Sequence, residues 1–259
     1  MKIYINTDNS KDIAIKTKQK IINISKKNNI QVTNQPKNAD IIFSIGGDGT
    51  FLESAKLSNG KIIGINCGTI GYLTDINTKD IEKAMKDIIN KEYYVEERMM
   101  VEGEIIKENG DKIHIPQALN EIAISKNTFG VVRFDVIIDN KLINSYTADG
   151  ILICTPTGST AYNLSCGGPI VDPTAKILTL TPIAPHTVIN RSVILSDKST
   201  VEIKITELRD NTTSYVLYDG KPIKIETGDK IKIKKSEHTT SIIKLNWRSF
   251  IDTIRNKIQ

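Results

Sequence analysis

An apolar run that stops abruptly at two glycines constrains the fold of this chain more than any other feature. Residues Ile41 to Ile45 are almost all β-branched or aromatic, which is typical of a strand covered on both faces in a parallel sheet. Gly46 and Gly47 follow directly. Parallel sheets are built from strands that alternate with helices, so the run predicts an α/β region.

The segments around this run alternate in the same way. Lys2 to Asn6 predicts a strand, and Ser10 to Asn28 predicts a helix that Ser10 would cap. Lys61 to Asn66 predicts another strand, and Thr78 to Asn90 predicts another helix. Residues 1–95 are therefore expected to form a Rossmann-like α/β domain.

Short strand patterns replace this alternation after about Tyr94. They are bounded by Asn, Asp, Gly or Lys and predict a second, β-rich domain over residues 96–246. Asp139-Asn140 marks a hairpin turn. The strand-like segments are Met99–Ile106, Ile122–Ser125, Val132–Ile138, Ile151–Cys154, Val201–Ile205 and Ile231–Lys234.

The end of the chain returns to a helical pattern. Ile251, Ile254 and Ile258 recur at three- and four-residue steps within Arg248 to Ile258. We expect residues 247–259 to form a terminal helix that packs these isoleucines on the first domain.

Composition and charge limit the class of function. The chain has 259 residues, of which 39% are hydrophobic and 25% charged, and no apolar stretch approaches the roughly 20 residues of a membrane-spanning helix. Disorder and a membrane span are therefore excluded. The net charge is +5, but the lysines are scattered, so binding to nucleic acid gains little support and an anionic small substrate suits the charge equally well.

The cysteines and the start of the chain predict a cytoplasmic location. Cys67, Cys154 and Cys166 are an odd number without a CxxC spacing, which argues against a disulfide framework or a zinc cage. The first residues lack the apolar segment of a secretory signal.

Residues Gly46-Gly47-Asp48-Gly49-Thr50 carry the strongest chemical signal. They lie where a buried strand ends and a helix is predicted to begin, with Thr50 placed to cap it, and free N–H groups at such a turn favour phosphate. Asp48 would repel phosphate unless it accepted a proton from an attacking hydroxyl or reached a bound Mg²⁺. The loop therefore indicates phosphoryl transfer. The alternative is a tight turn that uses glycine and aspartate for its backbone geometry.

A second glycine loop is rich in hydroxyl groups. It can donate hydrogen bonds to phosphate and ribose oxygens, while Tyr162 offers a flat face to a base. The alternative is a hydroxyl-rich turn with a helix cap. The hydroxyl residues around Gly158 are Thr155, Thr157, Ser159 and Thr160.

Three shorter features lie near predicted strand ends. Asn120-Glu121 combines an amide with a carboxylate, which suits ribose hydroxyls, and Asp149 could accept bonds from an amide or amine. Gly68 to Tyr72 form another glycine turn after a strand. Each feature alone is also what an ordinary turn would show.

Taken together, these motifs resemble those of the bacterial NAD kinases. The specific part is the block ADGILICTPTGSTAYNLSCGGPIV at 148–171, because GGDGT is shared with lipid kinases of the diacylglycerol or sphingosine type. In lipid kinases the Asn-Glu pair follows GGDGT almost directly, whereas here it lies far downstream, which favours the NAD kinases. The other similar segments are GGDGT at 46–50, GTIGYL at 68–73, Asn120-Glu121, and His186 through Asn190-Arg191.

The resemblance implies transfer of the γ-phosphoryl group of ATP to the 2′-hydroxyl of the adenosine ribose of NAD, with Mg²⁺ or another divalent cation. It implies an α/β nucleotide-binding domain (1–95 with 247–259), a β-sandwich NAD-binding domain (96–246), an active site between them and a homotetramer. No protein side chain is expected to ligate a metal. Thr147 and Ser192 differ from the arginine and proline that many relatives carry.

The same resemblance assigns the site residues. Asp48 matches the catalytic aspartate, Gly47, Gly49 and Thr50 match its loop, and Tyr72 matches an aromatic position near the nucleotide. The positions that match NAD contacts are Asn120, Glu121, Asp149, Ser159, Thr160, Ala161, Tyr162 and Ser165. The competing hypotheses are a lipid or sugar kinase, another enzyme that uses the same loop, and a non-catalytic NADP-sensing protein that retains the fold. Asp48 argues against the last.

Overall fold

The computed structural model describes residues 1–58, 60–68, 71–74, 76–127, 129–187, 190–209, 212–247 and 249–258, with no side chains described for 256–258. The chain divides into two compact units. The first comprises residues 1–97 and 240–259, and the second comprises residues 98–239.

The first unit is built on a parallel sheet with helices between its strands. Its strands are hydrogen-bonded in the order β2-β1-β3-β4-β5, all parallel. The elements are β1 (Lys2–Thr7), α1 (Asp12–Lys27), β2 (Gln31–Val32), β3 (Ile41–Gly46), α2 (Asp48–Ala55), β4 (Lys61–Asn66), β5 (Ile76–Asn77) and α3 (Ile81–Ile89), with 3₁₀ turns at Pro36–Asn38 and Thr78–Asp80.

Strand β3 lies in the middle of this sheet. All of its residues are buried, and Phe43 is paired with Ile5 on one side and Ile63 on the other. Phe43 shares one apolar core with Ile21 of α1 and Met85 of α3. The predicted alternation of strands and helices is therefore confirmed, and the β3–α2 turn lies at the carboxyl end of a fully covered strand.

Two predicted helix caps are wrong. Helix α1 begins at Asp12 after Lys11, and the Ser10 hydroxyl donates instead to Asp8 Oδ1 at 2.5 Å. Helix α2 begins at Asp48 with Gly47 as its N-cap, so Thr50 lies inside the first turn. In both cases the chain enters the helix without a side-chain cap.

The second unit is an antiparallel β-sandwich. One sheet has six strands in the order β13-β12-β11-β8-β15-β16. The facing sheet contains β10-β9-β14-β17, with β6 paired to β17 and β7 paired to β6. The strands are β6 (Tyr93–Ile106), β7 (Lys112–Ala118), β8 (Glu121–Lys126), β9 (Val132–Ile138), β10 (Lys141–Ala148), β11 (Gly150–Cys154), β12 (Ile177–Ile183), β13 (Val193–Ser196), β14 (Val201–Leu208), β15 (Ser214–Tyr218), β16 (Lys221–Ile225) and β17 (Lys230–Leu245).

Alternating side chains fill the space between these two sheets. Phe134, whose ring stacks 5.6 Å from that of Tyr146, packs in the same buried cluster as Ile124, Ile153 and Val216 of the opposite sheet. The hairpin predicted at Asp139-Asn140 is confirmed, since both residues have the positive φ of a tight turn (49° and 65°). A 3₁₀ turn at Thr157–Thr160 and the short helix α4 (Tyr162–Ser165) follow β11.

The chain ends in the predicted helix, α5 (Phe250–Ile258). The predicted packing of Ile251 is wrong, because its side chain is 68% exposed whereas Thr253 is buried. The side chain of Ile258 lies outside the described residues. Trp247, just before this helix, contacts α3, where its Nε1 donates to Asp87 Oδ2 at 2.8 Å. None of the helices in the described part of the chain is both long and apolar enough to cross a membrane.

Candidate functional site

The turn between β3 and α2 uses its first glycine for packing. A Cβ added to Gly46 would lie 2.2 Å from Thr50 Oγ1, so no other residue fits beside the first turn of α2. This requirement arises within the protein and says nothing about a ligand.

The next two glycines have no such internal reason. A Cβ added to Gly47 or Gly49 would meet nothing within 4 Å, and neither residue has a positive φ. The backbone N–H groups of the first turn of a helix have no acceptor within the helix and carry partial positive charge. Gly47 and Gly49 therefore keep open a space in which an anionic group can approach these N–H groups.

Asp48 is the first residue of α2, and its carboxylate is held by the segment Tyr72 to Thr74. The Tyr72 N–H donates to Oδ2 at 2.9 Å. Three donors reach Oδ1: the Leu73 N–H at 3.1 Å, the Thr74 N–H at 3.2 Å and the Thr74 hydroxyl at 3.0 Å. A carboxylate oxygen has about two lone-pair directions. Oδ1 is therefore saturated, and Oδ2 has room for one further hydrogen bond.

Gly71 allows this segment to approach Asp48. A Cβ added to Gly71 would lie 2.0 Å from Asp48 Oδ1, so only glycine fits there. Tyr72 is partly exposed, and burial together with the Asp48 charge raises the pKa of its phenol. Thr69 and Ile70 of the same predicted glycine turn lie outside the described residues.

Asn120 and Glu121 lie at the start of β8 in the second unit, and both are largely buried. The described residues give the Asn120 side-chain amide no hydrogen-bond partner, and they give none to the buried Glu121 Oε2. Buried polar groups are normally hydrogen-bonded. Two such groups side by side are therefore available to a ligand.

The electrostatics of Glu121 are unusual. Burial and, after it, the negative charge of Asp219 raise the pKa of Glu121 to about 8. Cys154 is paired with Glu121 across the sheet, and burial and the Glu121 charge raise the pKa of this thiol to about 12. Glu121 therefore holds a proton over much of the neutral range and can donate a hydrogen bond as well as accept one.

The hydroxyl-rich loop lies directly over Asn120. A Cβ added to Gly158 would lie 2.1 Å from the Asn120 carbonyl oxygen, so this glycine permits the close approach. The fully buried Ser159 hydroxyl donates to the Pro156 carbonyl at 2.7 Å and accepts from the Val171 N–H at 3.1 Å. The Thr160 hydroxyl donates to the Thr157 carbonyl at 3.3 Å and is only partly buried. Ser159 thus organises the loop, and Thr160 lies nearer its surface.

The remaining predicted residues differ in exposure. Tyr162 and Ser165 of α4 are exposed, and Ala161 is half-buried. Burial, the neighbouring Cys166 and the charges of Asp149 and Glu121 raise the pKa of Tyr162. Asp149 precedes β11 and forms a 2.6 Å ion pair with Lys126.

Several residues at this site were not predicted. Asp219 contacts the Asn120–Glu121 corner. Asn163 is fully buried, and its side-chain amide donates to the Ser159 and Pro169 carbonyls and accepts from the Thr181 hydroxyl. Lys126 pairs with Asp149. The pairing of distant strands brings Asp219 to the corner, whereas Asn163 lies within the 148–171 block itself. Among the residues that the structure describes, no group of three or more His, Cys, Asp or Glu is placed to hold a metal ion.

Comparison with known proteins gives matches over most of the chain. Residues 2–93 match the ATP-NAD kinase N-terminal domain, and residues 119–245 match the ATP-NAD kinase C-terminal domain. The chain is 34% identical to the NAD kinase of Caldicellulosiruptor bescii over an alignment of 269 positions, gaps included, which covers 100% of both chains. It is 37% identical to the NAD kinase of Ruminiclostridium cellulolyticum over 232 residues, which cover 88% of this chain and 81% of the relative.

Two solved structures have the same fold. An NAD kinase from Archaeoglobus fulgidus in complex with ATP superposes with a TM-score of 0.78 and 27% identity, covering 99% of this chain and 96% of that one. Yeast NADH kinase complexed with NADH superposes with a TM-score of 0.84 and 22% identity, covering 100% of this chain and 87% of that one. These likenesses confirm the predicted combination of an α/β region with an all-β region.

Proposed function

Since the chain belongs to the ATP-NAD kinase family, we propose that it transfers the γ-phosphoryl group of ATP to the 2′-hydroxyl of the adenosine ribose of NAD, giving NADP and ADP. Asp48 is the general base of this reaction. The observation that carries the proposal is the carboxylate of Asp48, which four donors hold at the amino terminus of α2 beside the open space at Gly49.

The geometry of Asp48 assigns the proton to one oxygen. Oδ1 accepts three hydrogen bonds and Oδ2 accepts one, so Oδ2 takes the hydrogen bond from the ribose hydroxyl. As the hydroxyl oxygen forms its bond to the γ-phosphorus, its proton passes to Oδ2. The bond between the γ-phosphorus and the bridging oxygen breaks, and ADP leaves with the electron pair.

The phosphates of ATP are proposed to lie at the open first turn of α2. The N–H groups of Gly49 and Thr50 can donate to phosphate oxygens there, because no Cβ at Gly47 or Gly49 blocks the approach. Mg²⁺ is typically bound by one or two carboxylates together with substrate phosphates, and when bound it neutralises charge on those phosphates. Asp48 is the acidic residue at this turn in the described part of the chain, but its open Oδ2 position is assigned to the ribose hydroxyl, so the phosphates would hold Mg²⁺.

NAD is proposed to bind the β-sandwich through the side chains left free in its six-stranded sheet and the loop over it. Asn120 and Glu121 have unpaired polar atoms that suit ribose hydroxyls. Tyr162 is exposed and offers its ring to a base. The other proposed contacts are Asp149, Ser159, Thr160, Ala161 and Ser165, with Tyr72 near the nucleotide. The buried Ser159 hydroxyl would act through its loop, because its own bonds are internal.

Location and assembly are also proposals. The three cysteines form no disulfide in the structure, which agrees with the reducing conditions of the cytoplasm. A homotetramer, expected from the family resemblance, is tested by multi-angle light scattering of the purified protein.

The assay that tests the proposal detects NADP. Purified protein is incubated with Mg-ATP and NAD, and NADP is measured with an NADP-specific dehydrogenase. A lipid kinase, which is not favoured, would instead label diacylglycerol or sphingosine from [γ-³²P]ATP. NAD that lacks the adenosine 2′-hydroxyl is the matched control, since it should bind without being phosphorylated. Folded protein that makes no NADP contradicts the proposal, and phosphate elsewhere on the deoxy analogue contradicts the assignment of the acceptor atom.

A further inference from the structure

Among the residues that the structure describes, two hold the backbone of the short corner Leu119–Glu121. All of its backbone N–H and C=O groups have partners, and each partner belongs to Asp219 or Thr155. Asp219 Oδ2 accepts from the Leu119 N–H at 2.9 Å, and Oδ1 accepts from the N–H groups of Asn120 at 2.9 Å and Glu121 at 3.4 Å.

The carbonyl groups of the corner are bound in the same way. The Thr155 hydroxyl donates to the Leu119 carbonyl at 2.6 Å, and the Thr155 N–H donates to the Asn120 carbonyl at 2.9 Å. The Asp219 N–H donates to the Glu121 carbonyl at 3.2 Å. Each backbone N–H and C=O group of the corner thus has a partner, and the side chains of Asn120 and Glu121 remain available to a ligand.

The backbone conformation of Asp219 suits this contact. Asp219 and Gly220 form the tight turn between β15 and β16, with φ values of 44° and 79°. Positive φ at an aspartate is uncommon, and here it brings the carboxylate and the N–H of one residue to the same strand end. The Asp219 charge also contributes to the raised pKa of Glu121, after burial.

We propose that Asp219 is a positioning residue, which holds Asn120 and Glu121 in the conformation that contacts NAD. This inference rests on the proposed function. Asp219 acts through the backbone of the corner and does not itself touch the substrate.

The variant Asp219→Asn tests this role at constant size. Asparagine can keep its carbonyl oxygen at the Oδ1 position, but its NH₂ group then faces the Leu119 N–H, donor against donor. The KM for NAD should rise about tenfold, which corresponds to the loss of about one hydrogen bond. The KM for ATP should stay within about twofold, since only interactions with NAD are weakened.

Asp139→Asn is the matched control. Asp139 also lies at positive φ in a hairpin of the same unit, and it accepts from the Thr200 N–H and the Ser199 hydroxyl instead of a site corner. This variant should keep the wild-type KM for both substrates. A role in stability alone would lower the melting temperature and the active fraction of Asp219→Asn, leaving both KM values unchanged.

A double-mutant cycle completes the test. If Asp219 acts through the corner, Asp219→Asn should raise the KM for NAD much less in an Asn120→Ala background than in the wild type. Additive effects, or a KM for NAD in Asp219→Asn equal to that of Asp139→Asn, would overturn the inference. If Asp219→Asn does not fold, Asp219→Glu carries the same test, since it keeps the charge but moves the carboxylate by one methylene. NAD binding measured by calorimetry separates the two failures. Wild-type protein that binds NAD but makes no NADP would contradict the proposed function, whereas equal NAD affinity of Asp219→Asn and wild type would overturn this role.

Discussion

The variant Asp48→Asn separates the chemical role of Asp48 from its structural one. In the wild type, Oδ1 accepts three hydrogen bonds from Leu73 and Thr74, and Oδ2 accepts one from the Tyr72 N–H. The asparagine carbonyl can replace Oδ1, but its NH₂ group then faces the Tyr72 N–H. The variant therefore loses one hydrogen bond, leaves one donor unsatisfied, and has no group that can accept the ribose proton.

The two losses have different magnitudes and different readouts. An unsatisfied donor costs about 1–3 kcal/mol of stability, which lowers the melting temperature by about 2–4 °C per kcal/mol for a chain of this size. Loss of a general base lowers kcat by about 10²–10⁴, equivalent to about 3–5.5 kcal/mol in the activation barrier. kcat is measured by NADP formation well below the melting temperature, and NAD binding is measured by calorimetry.

Thr74→Val is the matched control for Asp48→Asn. It removes one of the four donors to the Asp48 carboxylate and leaves the carboxylate itself in place. We expect a loss of about 1 kcal/mol of stability and a kcat within about tenfold of wild type. If Asp48→Asn turns over at nearly the wild-type rate, or if Thr74→Val loses as much activity as Asp48→Asn, the assignment of Asp48 as the base is refuted. Activity of Asp48→Asn that returns at high Mg²⁺ would assign it to metal positioning instead.

Two further variants test the phosphate space and the buried carboxyl group. Gly49→Ala should leave the free energy of unfolding unchanged or raise it by up to about 1 kcal/mol, because alanine favours a helix and its Cβ meets nothing within 4 Å. The same Cβ should raise the KM for ATP by entering the proposed phosphate space. An unchanged KM for ATP would show that no phosphate lies there. Glu121→Gln tests the pKa of about 8 of Glu121. Between the unfolded pKa of about 4.3 and this native pKa, the native state keeps a proton that the unfolded glutamate has lost. The stability of the wild type should therefore fall by up to about 1.4 kcal/mol per pH unit as the pH rises through this range. Since glutamine does not titrate, the stability of Glu121→Gln relative to wild type, from denaturant unfolding, should increase between pH 5 and pH 8, and parallel pH profiles would contradict the raised pKa.

The parts of the fold that follow from local patterns were predicted well. Strand β3 was recognised because a strand covered on both faces is apolar along its whole length, and its burial bears this out. Val132–Ile138 was predicted with its observed bounds, and along this strand buried residues alternate with partly exposed ones. In contrast, the caps assigned to Ser10 and Thr50 were wrong. A residue type that can cap a helix does not cap it when the helix begins elsewhere, and Thr50 lies inside α2.

The partners of the site residues were much less accessible to sequence reasoning. Asp48 could be singled out from its own loop, but the residues that orient it lie 24 to 26 positions later in the chain. Nothing in the sequence of Tyr72 to Thr74 marks these residues as donors, because backbone N–H groups are present in every residue except proline. The structural signal is Gly71, whose missing Cβ makes room for the carboxylate.

Asp219 shows why local sequence patterns do not predict the residues that orient a site. Asp139-Asn140 and Asp219-Gly220 are both turn dipeptides with positive φ, and each predicts only a hairpin. The difference lies in what the sheet places beside the turn, because β15 pairs with β8 and brings Asp219 to the Leu119–Glu121 corner, whereas Asp139 meets Thr200. Two similar turn dipeptides therefore differ in role: one closes a hairpin, and the other also holds the corner that we propose contacts NAD. The pairing of strands distant in sequence decides which.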